Sequence, residues 1–379
     1  MPRHRWILVG NARTDVSSAW MRVCERGKAL DPLVPKLLLL MRSRREDYGM
    51  LKHAKVIAGA ILLLLLSTVS AFAQGEAGAS SLIIPPSARA NGMGQSYVAI
   101  ADDATGIWWN PAGLAFIQKA IDLMHSQLVP ELASDVFYEY MGGALKLEGI
   151  GTIGLSVIFL TYGEWEGRDP NNVYLGKFTS WEIAPTLSGA LKIKESLGVG
   201  MNLKFVYIDL APEEATVEGQ PGRGHSVAVD VGALWKVPEF SMLGYRISRL
   251  NLGICFSNLG PSITYINRDQ AAPLPRNLRA GFAYTPVYGD AGKFTVAAEV
   301  NRPMVEFKRS NTYHFGAEFT YIDLIAIRSG YVHDNDGNIK DPTYGLGFIF
   351  NKRVRIDWAS IPQAKELGRV HRWSVGVTF

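Results

Sequence analysis

From about residue 120 to the last residue, apolar and polar positions alternate with a period of two, the signature of strands whose two faces meet different surroundings. In the final ten residues Trp373, Val375, Val377 and Phe379 share one face, and Arg372, Ser374, Gly376 and Thr378 the other. Tyr313, Phe315, Ala317, Phe319 and Tyr321 oppose Thr312, His314, Gly316, Glu318 and Thr320 in the same way. Phe294, Val296, Ala298 and Val300 oppose Thr295, Ala297, Glu299 and Asn301, and Val354, Ile356 and Trp358 oppose Arg353, Arg355 and Asp357. About fourteen such strands are expected, over 120–129, 136–147, 150–162, 177–192, 196–210, 224–237, 248–258, 276–287, 292–302, 310–321, 323–333, 342–350, 352–361 and 370–379. Most have the roughly 9–14 residues that a tilted membrane strand needs. A sandwich would hide the apolar face between two sheets; a membrane barrel would turn it to lipid. Finishing on a large aromatic residue favours the barrel.

The connections point the same way. Counted back from the end, alternate ones are long, at 362–369, 334–341, 303–309, 259–275, 211–223 and 163–176. Most of the others are tight, at 351–352, 322, 288–291, 193–195 and 148–149. Short periplasmic turns alternating with longer external loops are the pattern of an outer-membrane barrel. The stretch 238–247 is long on the supposed periplasmic side and breaks the rule. Pro185, inside the fourth strand, cannot donate to the ladder and predicts a local break, kink or bulge, a possible lateral opening. The fold class expected is all-β, a transmembrane antiparallel β-barrel of about 14 strands.

The amino-terminal part divides differently. Lys52 and Lys55 precede an apolar run from Val56 to Val69, and Ala71-Phe72-Ala73 has the small-x-small form of a cleavage site. Residues 50–73 therefore read as a secretory signal peptide starting at Met50. The apolar run is shorter than the ~20 residues of a spanning helix, and no cysteine follows the cleavage site to carry a lipid. Residues 1–49, Arg-rich and without periodicity, read as an upstream extension from a misassigned start. They and the signal peptide carry the basic charge: the formal net of +4 becomes −3 without them. A basic pI of this origin makes no case for nucleic-acid binding.

Residues 74–119 precede the barrel, 120–379. They hold three blocks: Ser87-Ala88-Arg89-Ala90 to Gly94, Ala101-Asp102-Asp103-Ala104, and Trp108-Trp109-Asn110-Pro111-Ala112-Gly113-Leu114. Gly92-x-Gly94 follows no strand and lacks a third glycine, so it is no dinucleotide loop. Asn110-Pro111 and Gly113 mark a tight turn, and Ala112 allows close backbone approach. Small residues, turns and two tryptophans describe a compact plug. The first two blocks and Asn110-Pro111-Ala112-Gly113-Leu114 of the third, with their spacing, resemble the amino-terminal hatch of the FadL-like outer-membrane barrels, and among these the PorV/PorQ family; Trp108-Trp109 stands where that family often has other aromatics. Tyr162-Gly163 and the closing His371-Arg372-Trp373 resemble that family too.

Catalytic and metal-binding chemistry is not found. Cys24 and Cys255 are the only cysteines, too few for a disulfide framework or zinc site. No HExxH, Gly-x-Ser-x-Gly or phosphate loop occurs, and Asp334-Asn335-Asp336-Gly337-Asn338 fails as a calcium loop because Ile339 and Gly345 occupy positions where glycine and glutamate are required. Glu182, Asp230, Glu299, Glu318, Lys204, Arg279, Arg328 and Arg355 point inward on this register, as a charged lumen rather than a catalytic pair. Neither an enzyme nor a cofactor is expected.

The resemblance implies an integral outer-membrane protein, surrounded by lipid, with one of two functions. As a type IX secretion component it would meet a large outer-membrane translocon and attachment-complex proteins, and bind secreted proteins through their C-terminal signal domains. External loops would make those contacts, with Trp165, Tyr174 and Tyr265 as candidates. As a FadL-like channel it would take up a hydrophobic compound, with such a ligand or a detergent in the lumen. Trp108, Trp109, Asn110, Pro111, Ala112 and Gly113 would then be part of the gate and Pro185 of a lateral exit.

Overall fold

The computed structural model describes residues 77–379 except 170, 217–218, 243–244, 267–270, 306–308 and 365–366. The upstream extension and the signal peptide lie outside the described residues. Sixteen strands run in chain order: β1 (Lys119–Gln127), β2 (Val136–Leu147), β3 (Gly151–Arg168), β4 (Tyr174–Lys194), β5 (Leu197–Ala211), β6 (Gly222–Val237), β7 (Phe240–Met242), β8 (Tyr245–Ile247), β9 (Leu250–Leu259), β10 (Asn277–Gly289), β11 (Gly292–Pro303), β12 (Thr312–Tyr321), β13 (Ile325–Asp334), β14 (Ile339–Phe350), β15 (Val354–Pro362) and β16 (Arg369–Thr378). All but β7 and β8 form one closed antiparallel barrel, and those two make a separate small hairpin. The expected fourteen wall strands are there.

Closure is made by the first and last strands, from Ala120↔Thr378 to His125↔Trp373. The Phe379 N–H donates to the Lys119 carbonyl at 2.9 Å, and the Lys119 ammonium lies 4.2 Å from the centroid of the Phe379 ring. The last aromatic residue thus completes the ladder. No helix among the described residues is long and apolar enough to cross a membrane; the strands are the elements that can.

The two faces separate as the alternation requires. Along β12 the aromatic positions are exposed, while Thr312, His314, Glu318 and Thr320 are buried inside. A sandwich would have buried Phe315 and Phe319; they are 51% and 41% exposed on the outside of the barrel. Such an apolar outer belt suits hydrocarbon and not water.

Three connections differ from expectation. Strands β3 and β4 continue beyond the neighbouring wall, so most of 163–176 is ladder, paired to Arg168↔Tyr174. The stretch 334–341 shrinks to 335–338, because Asp334 Oδ1 accepts from the Asp336 and Gly337 N–H groups at 3.1 and 2.9 Å and nucleates a tight turn. The unexplained length at 238–247 holds the β7–β8 hairpin, an extension of the β6–β9 connection.

Pro185 interrupts the wall on one side only. Its pairing to β3 is unbroken at Val157↔Pro185, while the β5 ladder skips from Ile183↔Tyr207 to Thr186↔Lys204. The register is the same on both sides of the skip, so of the expected break, kink or bulge the ladder shows a local break in pairing without a shift. A proline has no N–H to give, so the ladder lacks a bond at this position.

Candidate functional site: the luminal segment and its seat

Residues 77–118 run inside the barrel. Short turns let so compact a stretch fill the space. Ser87 caps helix α1 (Ala88–Gly92), its Oγ accepting from the Ala90 N–H at 3.2 Å. A one-turn helix α2 (Gly106–Trp109) leads into a 3-10 turn over Pro111–Phe116. Asn110 caps that turn: its Oδ1 accepts from the Ala112 N–H at 3.1 Å, and Pro111 occupies the first position, where no N–H is required. The same side chain donates through Nδ2 to the Val98 carbonyl at 2.9 Å and to the Ala233 carbonyl of the wall at 3.1 Å. Gly113 is dictated by crowding, since a Cβ there would fall 2.0 Å from the Ala101 carbonyl oxygen. Trp109 is buried, its Nε1–H donating to the Pro86 carbonyl at 3.1 Å, with the Trp108 ring edge-on at 4.7 Å. The six residues Trp108–Gly113 are thus all buried in one knot.

The wall meets this knot with glycines. A Cβ on Gly200 of β5 would lie 2.3 Å from the Pro111 carbonyl carbon, and one on Gly232 of β6 would lie 2.1 Å from Asn110 Oδ1. On Gly253 of β9 it would meet the Val98 oxygen at 2.3 Å, on Gly316 of β12 the Met93 oxygen at 2.3 Å, and on Gly330 of β13 the Gly94 nitrogen at 2.1 Å. Real Cβ atoms do not come that close. Five strands therefore reserve space at backbone level for the segment.

Charge fastens it. Arg89 donates from Nε and Nη2 to the two Glu318 oxygens at 2.7 and 2.8 Å, and from Nη1 to Asp102 at 2.6 Å and the Tyr97 hydroxyl at 2.9 Å. Glu318 also accepts from Arg328 at 2.7 Å, and Arg328 donates to Asp357 at 2.8 Å. Arg355, bonded to Asp357, reaches Asp103 at 2.8 Å and Asp122 at 3.2 Å. Asp122 in turn accepts from the Ala104 N–H at 2.8 Å. Burial pushes the Asp102 carboxyl up, but the Arg89 guanidinium outweighs it and holds the group at about 2. A bidentate arginine inside such a network is a strong, directional tie.

Other inward polar residues cap main-chain groups that have no helix or sheet of their own to satisfy them. Glu299 accepts from the Tyr97 and Val98 N–H groups, both at 2.8 Å, and Glu182 accepts from those of Ser80 and Ser81 at 3.2 and 2.9 Å. Thr343 Oγ1 accepts from Gly94 N–H at 2.9 Å and donates to the Gly92 carbonyl at 3.0 Å. The residues read from sequence as a charged lumen are thus, in good part, the fastening of the segment. Sequence reasoning did not assign Arg89, Tyr97 or Asp103 this role; the signal was Arg89 and the Asp102-Asp103 pair inside otherwise small, apolar blocks.

A cavity of about 170 Å³ remains between the segment and the barrel end opposite Lys119 and Phe379. Trp108, Trp109, Leu82 and Ile83 line it together with Arg279, Glu299 and His314. The Arg279 guanidinium stacks over Trp108 at 3.8 Å. Its walls are mixed, where a site for a purely apolar compound would be apolar. Among the described residues no three His, Cys, Asp or Glu side chains are placed to hold a metal ion.

The loop candidates separate. Trp165 and Tyr174 are 54% and 52% exposed on the protruding β3–β4 hairpin, with Trp165 Nε1–H donating to the Tyr162 carbonyl at 3.1 Å. Tyr265 is half-buried, packed inward against the luminal core beside Ala79 and Gly78. Burial, then the Glu182 charge, push its hydroxyl up to about 12. It is therefore part of the luminal packing and does not project outward from its loop as expected.

The chain folds as a closed barrel of fourteen strands with an apolar outer face and residues 77–118 inside it. The fold is similar to solved structures of the ΔS2S3 mutant of the TodX monoaromatic hydrocarbon channel (14% identity, 78% of this chain and 99% of that chain, TM-score 0.51). It is also similar to the Ralstonia pickettii toluene transporter TbuX (13%, 76% and 97%, 0.45) and to a Pseudomonas aeruginosa FadL homologue (11%, 76% and 97%, 0.44). The protein is an integral outer-membrane β-barrel. Residues 75–309 match the family described as type IX secretion system protein PorV, and the chain belongs to that family. No curated protein matches it. The end holding Lys119 and Phe379 carries the tight connections 148–150, 195–196, 290–291, 322–324 and 351–353, the pattern of a periplasmic end.

Proposed function

We propose that this protein is a non-enzymatic component of a type IX secretion system that works at its external surface, receiving cargo with C-terminal signal domains from a large translocon and passing it to the attachment complex. Residues 50–73 direct export, and residues 74–119 form a fixed hatch that keeps the lumen from leaking. What carries the reading is the glycine seat. A plug that left the lumen in each cycle would have to break the backbone contacts at five strands and the Arg89–Glu318 pair together. External contacts fall to the β3–β4 hairpin, where Trp165 and Tyr174 offer aromatic surface of the kind enriched at protein interfaces. The test is deletion of the gene. Export of signal-bearing proteins is expected to stop while uptake of hydrophobic solutes continues; intact export with lost uptake overturns the reading.

The second reading, a channel for a hydrophobic compound, is favoured by two observations. The cavity beside Trp108 and Trp109 is large enough for one aromatic ring, since cavities of about 150 Å³ accept benzene. An open apolar groove of about 880 Å³ also crosses the outer face of β1–β6 past Pro185, Leu187 and Phe205. In that reading the compound enters beside the Trp108–Gly113 knot and leaves near Pro185. The charged wall of the cavity and the unshifted register at Pro185 weigh against it.

A further inference from the structure

Strand β6 rises past its neighbour on one side only. It pairs with β5 along its whole length, as far as Ala211↔Gly222. Its pairing with β9 stops at Val229↔Leu259, so Gly222–Ala228 has no partner strand on that side among the described residues. Lys236 N–H donates to the Ser196 carbonyl at 2.7 Å, which puts the even-numbered main-chain groups of β6 on the β5 side. The Arg223 carbonyl, the His225 N–H and carbonyl and the Val227 N–H therefore point out of the free edge, the Arg223 N–H being turned to the Pro221 carbonyl at 2.9 Å, and the side chains of all three residues are exposed on the outer face.

The depth of this edge matters. Phe137, Phe159, Trp181 and Tyr207 form a ladder of rings at the external rim. His225 pairs with Tyr207, which places it in that row, and Val227 lies two residues nearer the hydrocarbon. No water is available there to satisfy an open edge, which is why spanning sheets close. The gap does not open to the lumen. The chain leaves the wall at Gly260, so close that a Cβ there would lie 2.1 Å from the Val227 oxygen. Ser226 Oγ then donates to the Pro261 carbonyl at 2.9 Å, and Ile263 bridges to Ala272 beneath Gly224. What remains among the described residues is a shelf with an inner floor and one side of bare backbone, running from the Arg223 carbonyl to the Val227 N–H.

We propose that Arg223–Val227 is a β-augmentation site, filled in the native membrane by an extended strand of a different protein. Alternating donors and acceptors along an edge are met by one chemistry, another extended main chain. The strand runs antiparallel to β6, as β9 does, with an apolar side chain beside Val227 and polar ones beside His225 and Arg223. A second copy of this chain does not fit. Two copies in one membrane are related by an axis along its normal, which keeps both β6 strands pointing the same way, and an antiparallel pair would need one copy inverted. The site stands apart from the export reading, because it is read on the barrel and export on the cargo.

Hydrogen–deuterium exchange of the 222–229 region, in native outer membranes and after purification in detergent, tests it. The His225 and Val227 amides are expected to exchange at least about ten-fold more slowly in the native membrane and to lose that protection on purification, while Ser226 and Ala228, bonded to β5, stay slow in both. Val227→Pro removes only an edge donor, so the barrel keeps its heat-resistant folded migration while His225 loses its native-membrane protection. Fast exchange at the edge in both preparations means that solvent satisfies it. Slow exchange in both means that this chain covers its own edge. Protection of His225 that survives Val227→Pro means that no strand pairs there. Each of the three overturns the proposal.

Discussion

Gly200 of the wall and Pro111 of the luminal segment meet backbone to backbone, with room for no side chain: a Cβ on Gly200 would lie 2.3 Å from the Pro111 carbonyl carbon and 2.5 Å from its oxygen. Gly200→Val must therefore displace the segment or distort β5. Overpacking of this kind costs roughly 1–3 kcal/mol. The purified variant is expected to conduct ions in planar bilayers where the parent is silent. Gly189→Val, at an outward position with nothing within 4 Å, is the control and should remain silent.

Arg89 is the second hold. Arg89→Met leaves Asp102 without its partner and Glu318 with Arg328 alone. The loss is expected to be on the order of 3 kcal/mol, the scale for removing one member of a buried ion pair. Chymotrypsin cleavage within 97–116 should become fast while the barrel stays folded. Arg89→Lys is expected to recover little, since a single ammonium cannot make the bidentate contact.

The same pair sets a pH window. With Asp102 held at about 2, below its ordinary 3.8, its contribution to holding the segment is complete above about pH 5 and is lost progressively as the pH falls through 2. The contribution of Asp102 to protecting the segment from protease is expected to be flat from pH 8 to about pH 5. An acid-resistant protease such as pepsin should gain access only toward pH 2; release near pH 6 would point to a different titrating group.

Much of this architecture was legible in the sequence, for a physical reason. Alternation along stretches such as Tyr313–Tyr321 reports two unlike environments, and strands of this length fit a tilted membrane crossing. The Asn110-Pro111-Ala112-Gly113 block likewise announced a turn because capping and proline placement are local rules. The seat was not legible. Gly200, Gly232 and Gly330 are ordinary glycines until the barrel closes and brings the segment against them, and the Arg89–Glu318 pair spans 229 residues. The inward turn of Tyr265 was missed because a loop aromatic carries no sign of which side it packs on. The β3–β4 ladder was read as a loop because its protruding end is exposed on both faces and has no alternation to show.

The external hairpin is expected to tolerate change structurally and not functionally. Trp165→Ala with Tyr174→Ala alters exposed positions, and thermal stability should move by no more than about 0.5 kcal/mol. Export of signal-bearing cargo should fall at least several-fold in cells carrying the double variant. Equal export by parent and variant would remove this hairpin from the contact surface.

The most direct test locks the segment in place. The Ala88 N–H donates to Ser374 Oγ at 3.1 Å, across the junction between segment and wall. Ala88→Cys with Ser374→Cys, oxidised to a disulfide in the folded protein, would forbid any departure of the segment from its seat. Cells in which the barrel is fully cross-linked are expected to export signal-bearing proteins at the parental rate. Export that stops on oxidation and returns with reductant would contradict a fixed hatch and a function carried by the surface.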